Sequence, residues 1–145
     1  MPHEIAVSLV SCPEVDRVWP AVASGFDRAC RKTGGDTTVE YLWSECRSGA
    51  AFLVTVAEGG LIVGAGIFRF EYWTTGKRLR CLVVSGKNMK AWAPQLLAFA
   101  RSFAAFGGAR AIVSDGRNGF ARVFPDAKVL RCLFELPLVD GKIDG

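Results

Sequence analysis

Apolar positions along the chain follow the period of a strand first, then of a helix, then of a strand again. Ile5 to Val10 alternates and is rich in β-formers, which predicts a first strand. Ser11-Cys12-Pro13-Glu14 reads as a helix start, with Ser11 as N-cap and Glu14 three residues on. The helix that follows carries Val15, Val18, Trp19, Val22 and Phe26 on one face, with a kink expected at Pro20 and an end near 32–35. A second helix is expected from Asp36 or Thr37, striped by Val39, Leu42, Trp43 and Cys46 and closed by Gly49.

The period then drops to two. Residues 51–57, 61–73 and 78–84 read as an antiparallel meander, turned at Glu58-Gly59-Gly60 and at Thr74-Thr75-Gly76-Lys77. Gly64 and Gly66 stand inside the middle strand, where a bulge or close packing explains them better than a nucleotide loop, because no helix follows. After a loop at 85–89, a long helix to Phe106 puts Trp92, Leu96, Phe99 and Phe103 on one face. Pro94 falls in its first turn or so, and Gly107-Gly108 ends it. Residues 109–114 return as a buried strand, so the strands 78–84 and 109–114 should be parallel, with a right-handed crossover. A short helix at Asn118 to Phe124 and a last strand, Lys128 to Leu136, complete the order β-α-α-β-β-β-α-β-α-β. The fold class is α/β (α+β), in a single domain over 1–139 with a loose tail at 140–145.

Charge splits the chain in two. Residues 1–68 hold five Lys/Arg and eight Asp/Glu, a balance of −3; residues 69–145 hold thirteen and six, a balance of +7. The basic half suits an anionic cofactor, an acidic partner or a nucleic acid, with Arg101, Arg110, Arg117, Arg122, Lys128 and Arg131 as the contacts. Five cysteines without a C-x-x-C pair read as buried free thiols, and one histidine, His3, argues against zinc sites and His-dependent nucleophiles. No apolar run reaches the roughly 18 residues of a membrane span, so a soluble cytoplasmic or virion-enclosed protein is expected.

The element order, the strand-helix-strand at Arg78 to Ser114, and Asn118-Gly119-Phe120-Ala121-Arg122-Val123-Phe124, which looks like N-x-x-A-x-x-Y with Phe124 in the last place, together resemble the GNAT family of N-acetyltransferases. The resemblance covers nearly the whole chain. It implies a mixed sheet and an acetyl-CoA site on Val83, Val84, Ser85, Gly86, Lys87, Asn88, Met89, Lys90, Asn118 and Phe124. Active members read R/Q-x-x-G-x-G/A at the cofactor loop, since small residues let backbone N–H groups approach a pyrophosphate at a helix N-terminus. This chain has Ser85-Gly86-Lys87-Asn88-Met89-Lys90 there, and Phe124 stands where the family places an acidic tyrosine.

Glu71 and Tyr72 are the candidate base and polar partner, by their place near the end of the middle strand. Phe70, Tyr72 and Trp73 crowd that strand end, as core packing or as a self-association or partner patch. The leading expectation is a noncatalytic structural or interaction module with no cofactor. Short GNAT-like phage and prophage proteins, some virion-associated, look similar in size and in the segment 116–122. The alternatives are an acetyl-CoA-dependent N-acetyltransferase with an atypical loop and a nucleic-acid binder.

Overall fold

The computed structural model describes residues 4–32, 35–115 and 126–138. Five strands form one sheet in the order β1-β2-β3-β4-β5: β1 (Ile5–Val10), β2 (Phe52–Glu58), β3 (Leu61–Trp73), β4 (Gly76–Gly86) and β5 (Ala111–Ser114). The first four pair antiparallel, and β4 pairs parallel with β5, as a β-α-β unit requires. The helices are α1 (Val15–Lys32), α2 (Val39–Ser48) and α3 (Met89–Phe106). The fold is the mixed α+β arrangement that the sequence implied.

Strand alternation sends successive side chains to opposite faces, and each face has its own core. On one, Val15, Val22, Phe26 and Cys30 of α1 and Leu42 and Cys46 of α2 meet Leu53, Ala65 and Ile67 of the sheet. On the other, Trp92, Leu96, Ala100 and Ala104 of α3 meet Val54, Val56, Phe68, Leu79 and Cys81. Of the five cysteines, Cys30, Cys46 and Cys81 are buried, as expected; Cys12, in the turn before α1, and Cys132, in an exposed stretch near the C-terminus, are not.

Local chemistry moves several boundaries. A 3-10 turn, Cys12–Glu14, precedes α1, and the Ser11 backbone carbonyl, not its hydroxyl, accepts from the Glu14 N–H at 2.9 Å. α1 runs on through Pro20. α2 starts later than expected because Thr38 caps it, its hydroxyl accepting from the Tyr41 N–H at 3.1 Å. β4 extends two residues past Val84, so Ser85 and Gly86 are strand, paired with Ala65 and Gly64.

The largest correction is at Lys128 to Leu136. That stretch forms no strand: it is exposed throughout, with Leu133 93% and Phe134 87% accessible. Alternation fixes which side chains share a face, but a strand also needs an edge to pair with, and none among the described residues meets this one. The expected helix Asn118 to Phe124 and the tail from 140 lie outside the described residues.

Candidate functional site

The connection between β4 and α3 is two residues long, Lys87 and Asn88. It is pinned from both sides. The Lys87 N–H donates to the Val63 carbonyl at 3.0 Å, and the Trp92 indole N–H donates to the Lys87 carbonyl at 2.8 Å. Trp92 is fully buried and wedges against two glycines in facing strands. A Cβ at Gly86 would lie 2.5 Å from the Val63 carbonyl oxygen, 2.6 Å from Gly64 Cα and 2.7 Å from the Trp92 ring; one at Gly64 would overlap the same ring. Gly86 is therefore small because protein packs on it, whereas a glycine in a phosphate cradle faces space for the ligand. In this respect the residues do not fit a snug pyrophosphate cradle.

Part of an anion site is nevertheless formed. Asn88 adopts the left-handed conformation, φ 53° and ψ 48°, which glycine would otherwise supply and which asparagine tolerates best among the larger residues. The N–H groups of Asn88, Met89 and Lys90 have no acceptor among the described residues, and the exposed side chains of Lys87 and Lys90 stand beside this positive helix end.

Below the connection the sheet forks. β4 and β5 pair from Arg78↔Ala111 to Cys81↔Ser114, and beyond that Val83, Val84 and the rest of β4 are bonded on one side only among the described residues. The Ser114 hydroxyl donates to the Cys81 carbonyl at 3.2 Å, at the last rung of the ladder. Just past it Leu82 is an extra residue, since Ile67 pairs with Val83 and Phe68 with Cys81. Burial pushes the Cys81 thiol up to about 12, so it is not a nucleophile at neutral pH.

At the other end of β3 lies a chain of charges. Glu71 accepts from Arg80 at 2.7 Å, from Arg69 at 3.0 Å and from the Trp73 indole at 3.2 Å. Arg80 also reaches Asp115 at 3.1 Å, and Arg69 continues to Tyr41 and Glu45 on α2. Burial alone would raise the Glu71 carboxyl; the hydrogen bonds from Arg80, Trp73 and Arg69 overrule it and hold it at about 2.

The structure does not bring the sequence-derived site residues together. Glu71 pairs across from Arg78 and Ala65 from Ser85, seven residues further along β4, about 23 Å at about 3.3 Å per residue. Tyr72 is 80% exposed, beneath Lys77, while Phe70 packs with Phe52 and Phe103, so the three aromatics at this end divide between surface and core. Arg101 and Arg110 line one mostly apolar cavity of about 380 Å³ between α3 and β5, together with Leu96, Ala104, Ile112 and Ala127. Lys128 and Arg131 are exposed; Asn118, Phe124, Arg117 and Arg122 lie outside the described residues. The sequence reading missed Arg69, Arg80 and Ser114. Two arginines at inward strand positions are themselves the signal for a buried carboxylate partner.

No protein-family model and no curated protein matches the sequence. Solved structures do match in fold. A ribosomal-protein-alanine N-acetyltransferase from Brucella melitensis superposes with a TM-score of 0.68 at 14% identity, covering 92% of this chain and 99% of that one. A GNAT family acetyltransferase from Staphylococcus aureus gives 0.62 at 15%, covering 92% and 98%. A predicted acetyltransferase from Clostridium acetobutylicum, solved with acetyl-CoA, gives 0.68 at 11%, covering 93% and 97%. The chain has the GNAT fold. Among the described residues, no helix is long and apolar enough to cross a membrane.

Proposed function

We propose that the chain is a noncatalytic GNAT-fold protein acting as a structural or interaction module. The state of Glu71 carries this reading. A general base works best with a pKa near the operating pH. Glu71 is held at about 2 and accepts hydrogen bonds from three donors, so it has little affinity for an amine's proton. The pinned two-residue connection supports the same reading, because Trp92 and Gly64 fill the space behind Gly86. The proposal extends to a setting: a virion-associated phage protein, supported by the chain's 145 residues and by the composition of segment 116–122.

The test is an acetyl-transfer assay of the full chain on a panel of primary amines, following CoA release. The expected result is release at the rate of acetyl-CoA hydrolysis alone. Turnover that depends on an amine would overturn the proposal.

A second reading, an acetyl-CoA-dependent N-acetyltransferase with an atypical loop, is favoured by one set of observations. Asn88 keeps the left-handed turn, the N–H groups of Asn88, Met89 and Lys90 lack acceptors among the described residues, and the sheet forks just below them. Isothermal titration with acetyl-CoA separates the readings. Micromolar binding that Lys87→Glu abolishes would favour the enzyme, and no heat of binding would leave the module.

A further inference from the structure

The turn end of the β3–β4 hairpin gathers cations over one glycine. Gly76 has φ 125°, and a Cβ there would lie 3.0 Å from Arg110 Cδ and 3.5 Å from Arg78 Nη1, so two guanidinium side chains converge on bare backbone. Both hang on the same turn. Arg78 donates to the Gly76 carbonyl at 3.0 Å and to the Thr75 hydroxyl at 2.9 Å, and Arg110 donates to the Thr75 carbonyl at 2.8 Å. Lys77, whose carbonyl accepts from the Arg110 backbone N–H at 2.9 Å, brings a third charge. Its Nζ lies 4.4 Å from the centre of the Phe70 ring and 5.3 Å from that of Tyr72.

The contacts that fix these cations are neutral: carbonyls, a hydroxyl and, for Arg78, the Trp73 ring at 4.6 Å. Glu71, the carboxylate opposite Arg78 in the register, accepts from Arg80 and Arg69 instead. Like charges brought together repel, and a bound anion relieves that repulsion. A guanidinium has five N–H donors; the bonds above use two on Arg78 and one on Arg110, which leaves donors on each for phosphate oxygens.

Ring faces are interleaved with the charges. Tyr72 is 80% exposed, and Phe106, 93% exposed, adjoins Gly107, where a Cβ would overlap the Phe70 ring. The C-terminal end of α3, which would repel an anion, is muted here. The N–H groups of Gly107, Gly108 and Ala109 cap the carbonyls of Phe103, Ala105 and Ala104.

We propose that this hairpin end binds single-stranded nucleic acid, with Lys77, Arg78 and Arg110 on its phosphates and the rings of Tyr72 and Phe106 against unstacked bases. Charge alone would suit an acidic peptide equally, but a carboxylate chain makes no use of exposed rings, whereas every base presents a π-face. Duplex bases are already stacked on one another, so the single strand is the form that fits. Of the basic residues singled out in the sequence for such a contact, Arg110 joins this surface. The surface lies at the opposite end of β4 from the Ser85–Lys90 connection. The proposal rests on the interaction-module reading only for its biological role; a chain that binds no oligonucleotide can still fail to transfer acetyl groups, so the two tests fail separately.

The probe is a fluorescein-labelled oligothymidylate of about 12 nucleotides, within the site sizes of such surfaces, followed by anisotropy with the full chain. Binding in the micromolar range is expected at about 0.05 M salt, weakening with a double-logarithmic salt slope of about −2 for three phosphate contacts. Arg110→Gln should make that slope shallower by about 0.7. Tyr72→Ala should weaken binding roughly 5- to 100-fold and leave the slope unchanged, because stacking releases no counterions. Both residues are exposed, so neither change reaches the core. No binding at low salt, a slope that Arg110→Gln does not alter, an affinity that Tyr72→Ala does not alter, equal affinity for the duplex, or displacement by polyglutamate at matched charge would each overturn the proposal.

Discussion

The two ends of β3 are held by opposite means. At Gly64 the strand is joined to β4 and α3 by shape: two glycines face each other and the buried Trp92 ring fills the space they leave. At Glu71 it is joined by charge, through Arg69, Arg80 and Trp73, onward to Asp115 and to α2. Shape gives an end that is rigid and insensitive to solvent conditions. Charge gives an end whose strength depends on protonation. Both arrangements hold the sheet together.

Four experiments test that contrast. Trp92→Ala should cost the most, about 4 kcal/mol, because it opens a cavity at the meeting point of β3, β4 and α3. Denaturant unfolding at neutral pH reads it, and a loss below about 1 kcal/mol would mean that the wedge is not the anchor.

Acid titration addresses the other end. The Glu71 pKa is depressed from 4.5 to about 2. Its contribution is thus complete above about pH 4.5 and lost as pH falls through about 2, with the unfolded state binding the extra proton in between. The loss is on the order of 3 kcal/mol. Glu71→Gln should flatten the profile in that window while Trp92→Ala leaves its shape intact; equal slopes in both variants would refute the division between the ends.

Gly64→Ala should cost about 2 kcal/mol by overpacking against Trp92. Combining it with Trp92→Phe should recover part of that, read as a positive coupling in a double-mutant cycle. The smallest effect is expected at Asp27→Asn. Its ion pair with Arg31 lies on the surface of α1, with side chains 41% and 78% exposed, so the thermal midpoint should shift by less than the equivalent of about 0.5 kcal/mol.

Much of this was readable in the chain. The bounds of β3 coincide with the sequence reading because Gly59-Gly60 and Thr74-Thr75 punctuate both ends. The parallel pairing of β4 with β5 followed from the helix between them. Gly64 was read as a bulge or a site of close packing, and the structure shows close packing, against a partner, Trp92, that the sequence did not indicate. The charged cluster was not legible, since Glu71 and the two arginines it accepts from draw their partners from β4, α2 and the residue after β5. The loop was read as too long because Gly86 resembles a turn residue, and only its pairing with Gly64 shows it to be strand. At Lys128 to Leu136 the alternation led to a strand that the structure does not form, because no edge among the described residues pairs with it.

The fork at Ser114 has a mechanical consequence. β3 and β4 share ten paired positions, whereas β4 and β5 share four. A load applied from beyond Asp115 meets first the Arg80–Asp115 ion pair and then, at the Ser114 end of β5, the hydroxyl on the Cys81 carbonyl. The rungs behind it then open one after another toward Arg110, whose N–H holds the Lys77 carbonyl and whose guanidinium holds the Thr75 carbonyl. Tension would peel β5 away as a unit while the four antiparallel strands stayed together. The tear line of the sheet lies at its short parallel ladder, between β4 and β5.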